Sequence, residues 1–551
     1  MRLKIVNYTV ENPPLLNSST SYRKSTLVFV YILAITYGTL WLYIGYLRLI
    51  SFNNFYGDLG QQTSYLIALS NTANPYVLFH ELRPQSPFAI VIAQILRISP
   101  YPLTLIALQD YAISLSIVPL YYVSKAFLRD RVNSGLMVIS YLLFFPLSAT
   151  LWEGYGHIME FFPLLFFIAL YLYIRGSKFY ILFFALASYT DIVMSTSLIL
   201  LLFYDIFKLR KGRLDIMTSV LDPAKRIKYN IVTILVSLFP IAYYTLQQNL
   251  FYIFTFGSHV YTGTSGTLHP DLLQAYISIF THTLVTSFLT LLLIFIPFLI
   301  LTRYPNKFLI TLIPFFYFFF FSGYESGFFN FLFYIWSMYT PLVFSALLIY
   351  MGSRSPKTVN GINFSVHKNH FCFRVPRAPS NRAIALMITL VILTISIFYA
   401  PWGPLNSQNI PGQNVNAFYS FETNLHVSRN DIVAANFVSL VPTNKTILIQ
   451  NNMPIFSDRD RNFLFGPSYT PWITGQTQWG PAPANSTVPQ FICTDPISYW
   501  FTSPFTSGEN MSYWFHYFTT KYHYGLLAES YPYYLYELNY NGTPKIMITS
   551  F

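Results

Sequence analysis

The sequence predicts an all-α polytopic membrane protein of about eleven transmembrane helices, with a small C-terminal α/β domain outside the membrane. Of the 551 residues, 54% are hydrophobic and only 10% are charged, whereas soluble globular chains carry roughly 25% charged residues. Apolar runs close to the ~20 residues that cross a bilayer recur over residues 25–401. Beyond residue 401 these runs stop, and turn signals and strand-like segments begin.

Eleven apolar runs qualify or nearly qualify as spans. They cover residues 25–50, 102–124, 133–152, 160–175, 179–190, 191–206, 230–252, 278–302, 308–323, 332–351 and 383–401. The pair that meets at "SYTD" is short, so it is either one kinked helix or two half-helices. In the first case every later segment changes side.

The basic residues predict which side each loop occupies. With the N-terminus in the cytoplasm, 24 of the 33 Lys and Arg residues fall in cytoplasmic segments, most densely in 207–229, as the positive-inside rule requires. About two dozen mostly polar residues precede the first run, which indicates a retained first span and not a cleaved signal. The net charge of +12 therefore indicates membrane orientation and no nucleic-acid partner.

This topology gives a transmembrane domain at 1–401, a first outer loop at 51–101 and an extracytoplasmic domain at 402–551. In the first loop, "QQTSYLIALSN" and "SPFAIVIAQILRI" predict interfacial helices. In the tail, "NKTILIQNN" and "PKIMITSF" predict strands. Four Asn-x-Ser/Thr sequons suit an outer surface; they begin at Asn444, Asn485, Asn510 and Asn541. Cys372 and Cys493 fall on opposite sides, so no disulfide is predicted.

Acidic residues are scarce, and those with a candidate chemical role gather at the outer face on this topology. The ionisable groups there are Asp58, His80, Glu81, Arg83, Glu153, His157, Glu160, Asp191 and Glu325. Asp110 lies about two turns inside a span, where an ionisable group costs about 3 kcal/mol unless it faces a partner or a polar cavity. We therefore predict an outward-facing cavity with Asp110 at its floor.

Each of these groups has a structural and a functional interpretation. Asp58 either caps a helix that begins near Gln61 or acts chemically. His157 and Glu160 form an H-x-x-E pair that could bind a divalent ion together with a third ligand, or are ordinary polar residues of a short loop. His80, Glu81 and Arg83 form an interfacial ion pair, or Arg83 binds a phosphate through its bidentate guanidinium. Nucleotide-binding and common hydrolase motifs are absent from the sequence.

The order of the motifs resembles the prokaryotic membrane family called domain of unknown function 2079. "YGDLG" at 56–60 matches the motif that opens the family's first loop, and "PLTLIALQDYAISLSIVPLYYVSKAFL" at 102–128 matches its next landmark. "GYGHIMEFFPLL" retains His157 and Glu160 of a Phe-His-Pro-Glu element, and "SYTDIV" retains only Asp191 of a later one. Residues 437–467 follow the pattern of the outer tail.

This architecture is similar to the type C glycosyltransferase fold. The resemblance implies an enzyme that transfers a sugar from a polyprenyl-phosphate carrier to a glycan or protein acceptor at the outer face of the cell membrane. Asp58 would be the catalytic base; Arg83, His80, Glu81, Asp110 and Asp191 would bind substrate and phosphate. His157 and Glu160 would hold a divalent metal, Mg or Mn.

Two other functions stay open. One is a transporter or lipid-handling protein in which Asp110 and Asp191 line a pathway, and the other is a scaffold-like relative without activity.

Overall fold

A computed structural model describes most of the helical region and parts of the C-terminal region. The described residues are 22–50, 58–71, 86–154, 156–210, 223–247, 335–354, 380–400, 447–450, 462–465, 476–477, 480–481, 490–494, 520–530 and 533–547, with isolated residues between 402 and 445.

Thirteen α-helices and one 3₁₀ helix make up this part of the helical region. In chain order they are α1 (Tyr22–Ile50), α2 (Asp58–Asn71), α3 (Pro87–Ile98), α4 (Pro102–Leu115), α5 (Ile117–Leu128), α6 (Arg131–Leu143), α7 (Phe145–Glu153), the 3₁₀ helix (Ile158–Phe161), α8 (Phe162–Ile174), α9 (Tyr180–Ser188), α10 (Ile192–Arg210), α11 (Pro223–Gln247), α12 (Ile335–Arg354) and α13 (Asn381–Tyr399).

Several predicted spans are divided where the sequence interrupts helical hydrogen bonding. The run at 102–124 becomes α4 and α5, which meet at Ser116 just before Pro119, a residue without a backbone N–H. The run at 133–152 becomes α6 and α7, bent by 45° where Phe144 is extended and Pro146 lies in the first turn of α7. "SYTD" separates two helices, α9 and α10.

The described residues confirm a mostly helical membrane architecture, and the number eleven stays a prediction. Three stretches are long and apolar enough to cross a bilayer, Thr26–Ile50, Pro102–Leu128 and Ile192–Arg210, and the bent α6–α7 pair is a fourth if it is one span. Helix α9 has 9 residues, about 14 Å, so it cannot cross ~30 Å of hydrocarbon alone. The predicted spans at 278–302 and 308–323 lie outside the described residues.

The helices share one continuous apolar core that extends from α1 to α13. Helix α1 packs closely along α4, because a Cβ at Gly38 would come within 2.9 Å of the Tyr111 ring, and one at Gly45 within 2.7 Å of Ile106. Small residues that let helix backbones approach are typical of contacts between membrane helices, where dispersion replaces the hydrophobic effect.

The C-terminal region contains the predicted strands and forms a mixed sheet with its own core. The strands are β1 (Ile447–Gln450), β2 (Asn462–Phe465), β3 (Gln476–Thr477), β4 (Gly480–Pro481), β5 (Phe491–Thr494), β6 (Tyr524–Ser530), β7 (Tyr533–Leu538) and β8 (Lys545–Ile546). Six of them pair in the order β2-β1-β5-β7-β6-β8, with β1 parallel to both of its neighbours. Helix α2 packs against edge strand β2, which places the helix of the first loop beside this sheet.

Candidate functional site

Helix α2 brings the first loop to the predicted His157 segment. It begins at Asp58, three residues earlier than the cap interpretation expected, so Asp58 lies in its first turn; the Asp58 side chain is outside the described atoms. One turn later, Gln62 Nε2 lies 3.4 Å from His157 Nδ1. Residues four apart share a helix face. The turn that carries Asp58 therefore lies near the segment that carries His157.

Gln109 on α4 fixes the segment before His157. Its side-chain oxygen accepts a hydrogen bond from the backbone N–H of Gly156 at 2.8 Å, and its Nε2 donates to the carbonyl of Thr150 at 3.0 Å. Gln109 is fully buried, so both bonds lie away from water, where an unmade bond is expensive. This amide joins α4, α7 and the loop between α7 and the 3₁₀ helix.

Glu160 lies in the 3₁₀ helix and is fully buried. This short helix packs against α3, α4, α8 and α12, with the ring of Phe161 edge-on to that of Phe88 at 5.6 Å. Glu160 is therefore directed into the junction of several helices and not into a solvated loop, which favours the functional interpretation of this carboxyl group.

The described residues supply no third ligand for the metal site predicted at His157 and Glu160. Within the described part of the chain, three or more His, Cys, Asp or Glu side chains do not come together in a group that could hold a metal. Structural and catalytic metal sites take at least three protein ligands in most cases. The described residues alone do not complete such a site.

Asp191 has a structural role at the start of α10. Its Oδ1 accepts a hydrogen bond from the backbone N–H of Val193 at 2.7 Å, as N-cap residues do. The preceding turn is bonded to α3, since the Ser86 hydroxyl donates to the Tyr189 carbonyl. Tyr339 of α12 lies within electrostatic range of Asp191. The role of Asp191 in substrate binding stays a prediction.

Arg48 is a residue that the sequence reasoning missed. It lies in the last turn of α1, is only 2% exposed, and holds its guanidinium carbon 4.4 Å from the centre of the Trp152 ring. A signal was present: an Arg at the predicted outer end of the first span opposes the positive-inside rule. Arg48 brings a buried cation to the side of α7 next to the loop that Gln109 holds.

The structure describes only some of the remaining predicted residues. Asp110 is fully buried within α4, next to Gln109. His80, Glu81, Arg83 and Glu325 lie outside the described residues, and the side chain of Glu153 is not described. The structure therefore brings together the α2 turn of Asp58 with His157, and α4 with the loop before His157.

Because of His157, the stability of the protein is expected to decrease as the pH is lowered. Burial lowers the pKa of His157 from 6.5 to about 3, so the unfolded chain binds a proton before the folded one does as pH falls. The contribution is complete above pH 6.5 and is lost between pH 6.5 and pH 3, by up to about 1.4 kcal/mol per pH unit. Thermal unfolding in detergent at pH 7.5 and pH 5 measures it.

The control is His157→Asn, which stays neutral and keeps a polar partner for Gln62. The wild type should lose more stability than this variant over the same pH range. Parallel losses in the two proteins would contradict the prediction.

The apolar helices indicate a membrane protein. The buried polar groups between α2, α4 and the 3₁₀ helix form its candidate site. The chain belongs to the family described as predicted membrane protein (DUF2079), whose family model matches residues 85–479. Curated proteins gave no match to the chain.

Proposed function

We propose that the protein is an integral-membrane glycosyltransferase that takes a sugar from a polyprenyl-phosphate carrier at the extracytoplasmic face. The contact between Gln62 and His157 carries this proposal, because it brings the first-loop helix that begins with Asp58 to a segment with two further ionisable groups. The packing of α2 against β2 supports a shared outer face for the first loop and the C-terminal region.

The chemistry assigned to these residues is displacement at the anomeric carbon. The acceptor hydroxyl attacks, the bond from the anomeric carbon to the carrier phosphate oxygen breaks, and Asp58 accepts the hydroxyl proton. The leaving phosphate needs cationic compensation. Arg83 remains the predicted cation, with His80 and Glu81 beside it, and the buried Arg48 is a second candidate. Asp110 and Asp191 keep their predicted roles in substrate binding.

A buried network at the other end of the bundle supports an enzyme over a transporter. At the predicted cytoplasmic ends of α8 to α11, the Tyr173 hydroxyl donates to Asp205, and Tyr180 donates to Asn230 Oδ1 at 2.7 Å. Arg226 is fully buried against the Tyr173 ring. Hydrogen bonds between polar groups pack this end of the bundle, which supports a site that opens to the outer face.

Asp58→Asn is expected to reduce sugar transfer by about 100-fold or more, the usual contribution of a general base. Transfer is measured with lipid-linked sugars extracted from the host membranes and, in the native host, as glycan composition. Asp130→Asn is the matched control, because Asp130 only caps α6 and Asn caps equally well. Unchanged glycans in a host with normal levels of the Asp58→Asn protein would contradict the proposal.

A carrier function is the second candidate, and the burial of Asp110 within a span favours it. Proteoliposomes decide between the two. Movement of a lipid-linked sugar across the bilayer without transfer to an acceptor, abolished in Asp110→Asn but not in Asp58→Asn, would favour the carrier.

A further inference from the structure

Asp110 is a buried carboxyl group in the membrane-spanning part of the chain. It lies within the apolar stretch Pro102–Leu128 and is 0% exposed. Among the described residues, neither of its carboxylate oxygens has a hydrogen-bond partner. A bare carboxylate in such a place carries a large desolvation penalty, and the group lowers its free energy by taking up a proton.

Among the described residues, the elements packed against α4 place no cation beside Asp110 that forms an ion pair or hydrogen bond with it. They are α1, α2, α5, α7, α8 and the 3₁₀ helix, and the titratable groups in their sequences include Tyr37, Arg48, Asp58, Tyr65, Tyr121, Tyr122, Lys125, Glu153, Glu160, Tyr171 and Tyr173. Tyr37 interacts electrostatically with Asp110, but its hydroxyl donates to the Leu142 carbonyl at 3.0 Å.

The cations of these elements are engaged or distant. Arg48 follows Tyr37 by eleven residues, about 16 Å along α1, and stacks on Trp152. Lys125 is about 22 Å from Asp110 along the chain if α4 and α5 are treated as one helix. Glu160 is an acid, and a second negative charge favours the neutral form of Asp110.

Asp205 is a natural comparison, because it is also a buried carboxyl group in a span. It is 1% exposed within α10. Unlike Asp110, it accepts a hydrogen bond from the Tyr173 hydroxyl, and the Arg226 guanidinium stacks 3.8 Å from the centre of that same ring. Asp205 therefore has a hydrogen-bond donor, and a guanidinium lies on the ring that carries this donor.

We propose that Asp110 is a proton-binding site inside the helix bundle and carries its proton at neutral pH. A neutral carboxyl group buried in a membrane span is also a modification site for lipophilic carbodiimides. The carboxyl proton moves to a carbodiimide nitrogen, the carboxyl oxygen bonds to the central carbon, and the adduct rearranges to a stable N-acylurea. This proposal does not depend on the glycosyltransferase activity.

The test uses the full chain in detergent, treated with dicyclohexylcarbodiimide from pH 6 to pH 9 and mapped by peptide mass spectrometry. We expect one adduct, at Asp110, whose yield falls as pH rises, and no adduct at Asp205. Asp110→Asn should abolish the adduct. Infrared difference spectra between the wild type and Asp110→Asn should contain a carbonyl band of a protonated carboxylic acid that the variant lacks.

The infrared band keeps the proposal testable if the reagent does not reach Asp110. Absence of both the adduct and the band in folded wild-type protein would overturn the proposal. Equal labelling of Asp110 and Asp205 would also overturn it, because the two environments would then have no effect on protonation.

Discussion

Replacing Arg226 with Ala is expected to lower the free energy of unfolding by about 2–5 kcal/mol, because a charge-assisted hydrogen bond and a buried cation–π contact are lost together. Arg226 is fully buried, donates from Nη2 to the Tyr173 carbonyl at 3.0 Å, and stacks on the Tyr173 ring. Asp205 lies on the hydroxyl side of that ring. Without the guanidinium, Asp205 stays buried without its nearby cation, and the last carbonyls of α8 lose a donor.

Unfolding in detergent, followed by loss of the monodisperse peak after heating, measures this effect. Lys225→Ala is the control, because Lys225 is exposed one residue earlier in α11 and surface changes alter stability by less than about 0.5 kcal/mol. The double variant Arg226→Met with Asp205→Leu should recover much of the loss, since it removes both charges. Equal stability of the Arg226→Ala and Lys225→Ala proteins would exclude the network as a stabilising element.

Gly156→Ala is expected to destabilise the protein by about 2–5 kcal/mol and to displace His157. Gly156 has φ of +67°, which costs an L-residue about 1–2 kcal/mol. An added Cβ would also lie 2.3 Å from Leu105 Cγ, and overpacking adds about 1–3 kcal/mol. The hydrogen bond from Gly156 N to Gln109 leaves the backbone little freedom to move away.

Gly154→Ala separates the two contributions. Gly154 has a similar φ of +60°, but the nearest atoms to an added Cβ are 3.9 Å away, so only the backbone term of about 1–2 kcal/mol applies. The difference between the two variants, measured by thermal unfolding together with sugar transfer, is the steric term at Leu105. If Gly156→Ala loses no more stability than Gly154→Ala, the result would contradict close packing of this loop on α4.

The turn residues and helix caps could be predicted from sequence because their causes are local. Pro119 and Pro146 lack a backbone N–H and accompany the breaks in two apolar runs, each of which was expected to form a single span. Asp191 caps α10, and "SYTD" therefore separates two helices. The strand pattern of "NKTILIQNN" contains β1, since alternation with β-branched residues is itself a strand signal.

The partners of the polar residues could not be predicted in this way. Gln109 was only one letter of a matching motif, but it joins Thr150 to Gly156 across three elements. Arg48 was counted as the end of a span, and its contact with Trp152 depends on how α7 turns after the bend. In the sequence, Asp205 lies in an apolar run and Arg226 in a basic segment, and neither position indicates that both residues contact Tyr173.

Composition and run length were enough to identify a helical membrane protein with a strand-containing tail, because a bilayer requires a certain hydrophobic length and a low charge density. Packing between helices determines which of two buried carboxyl groups has a hydrogen-bond partner among the described residues. Asp110 and Asp205 look alike in the sequence, each within an apolar helix. Their difference arises from side chains on other helices, and hydrogen bonds between distant segments are formed by packing, which leaves no periodic trace in the chain.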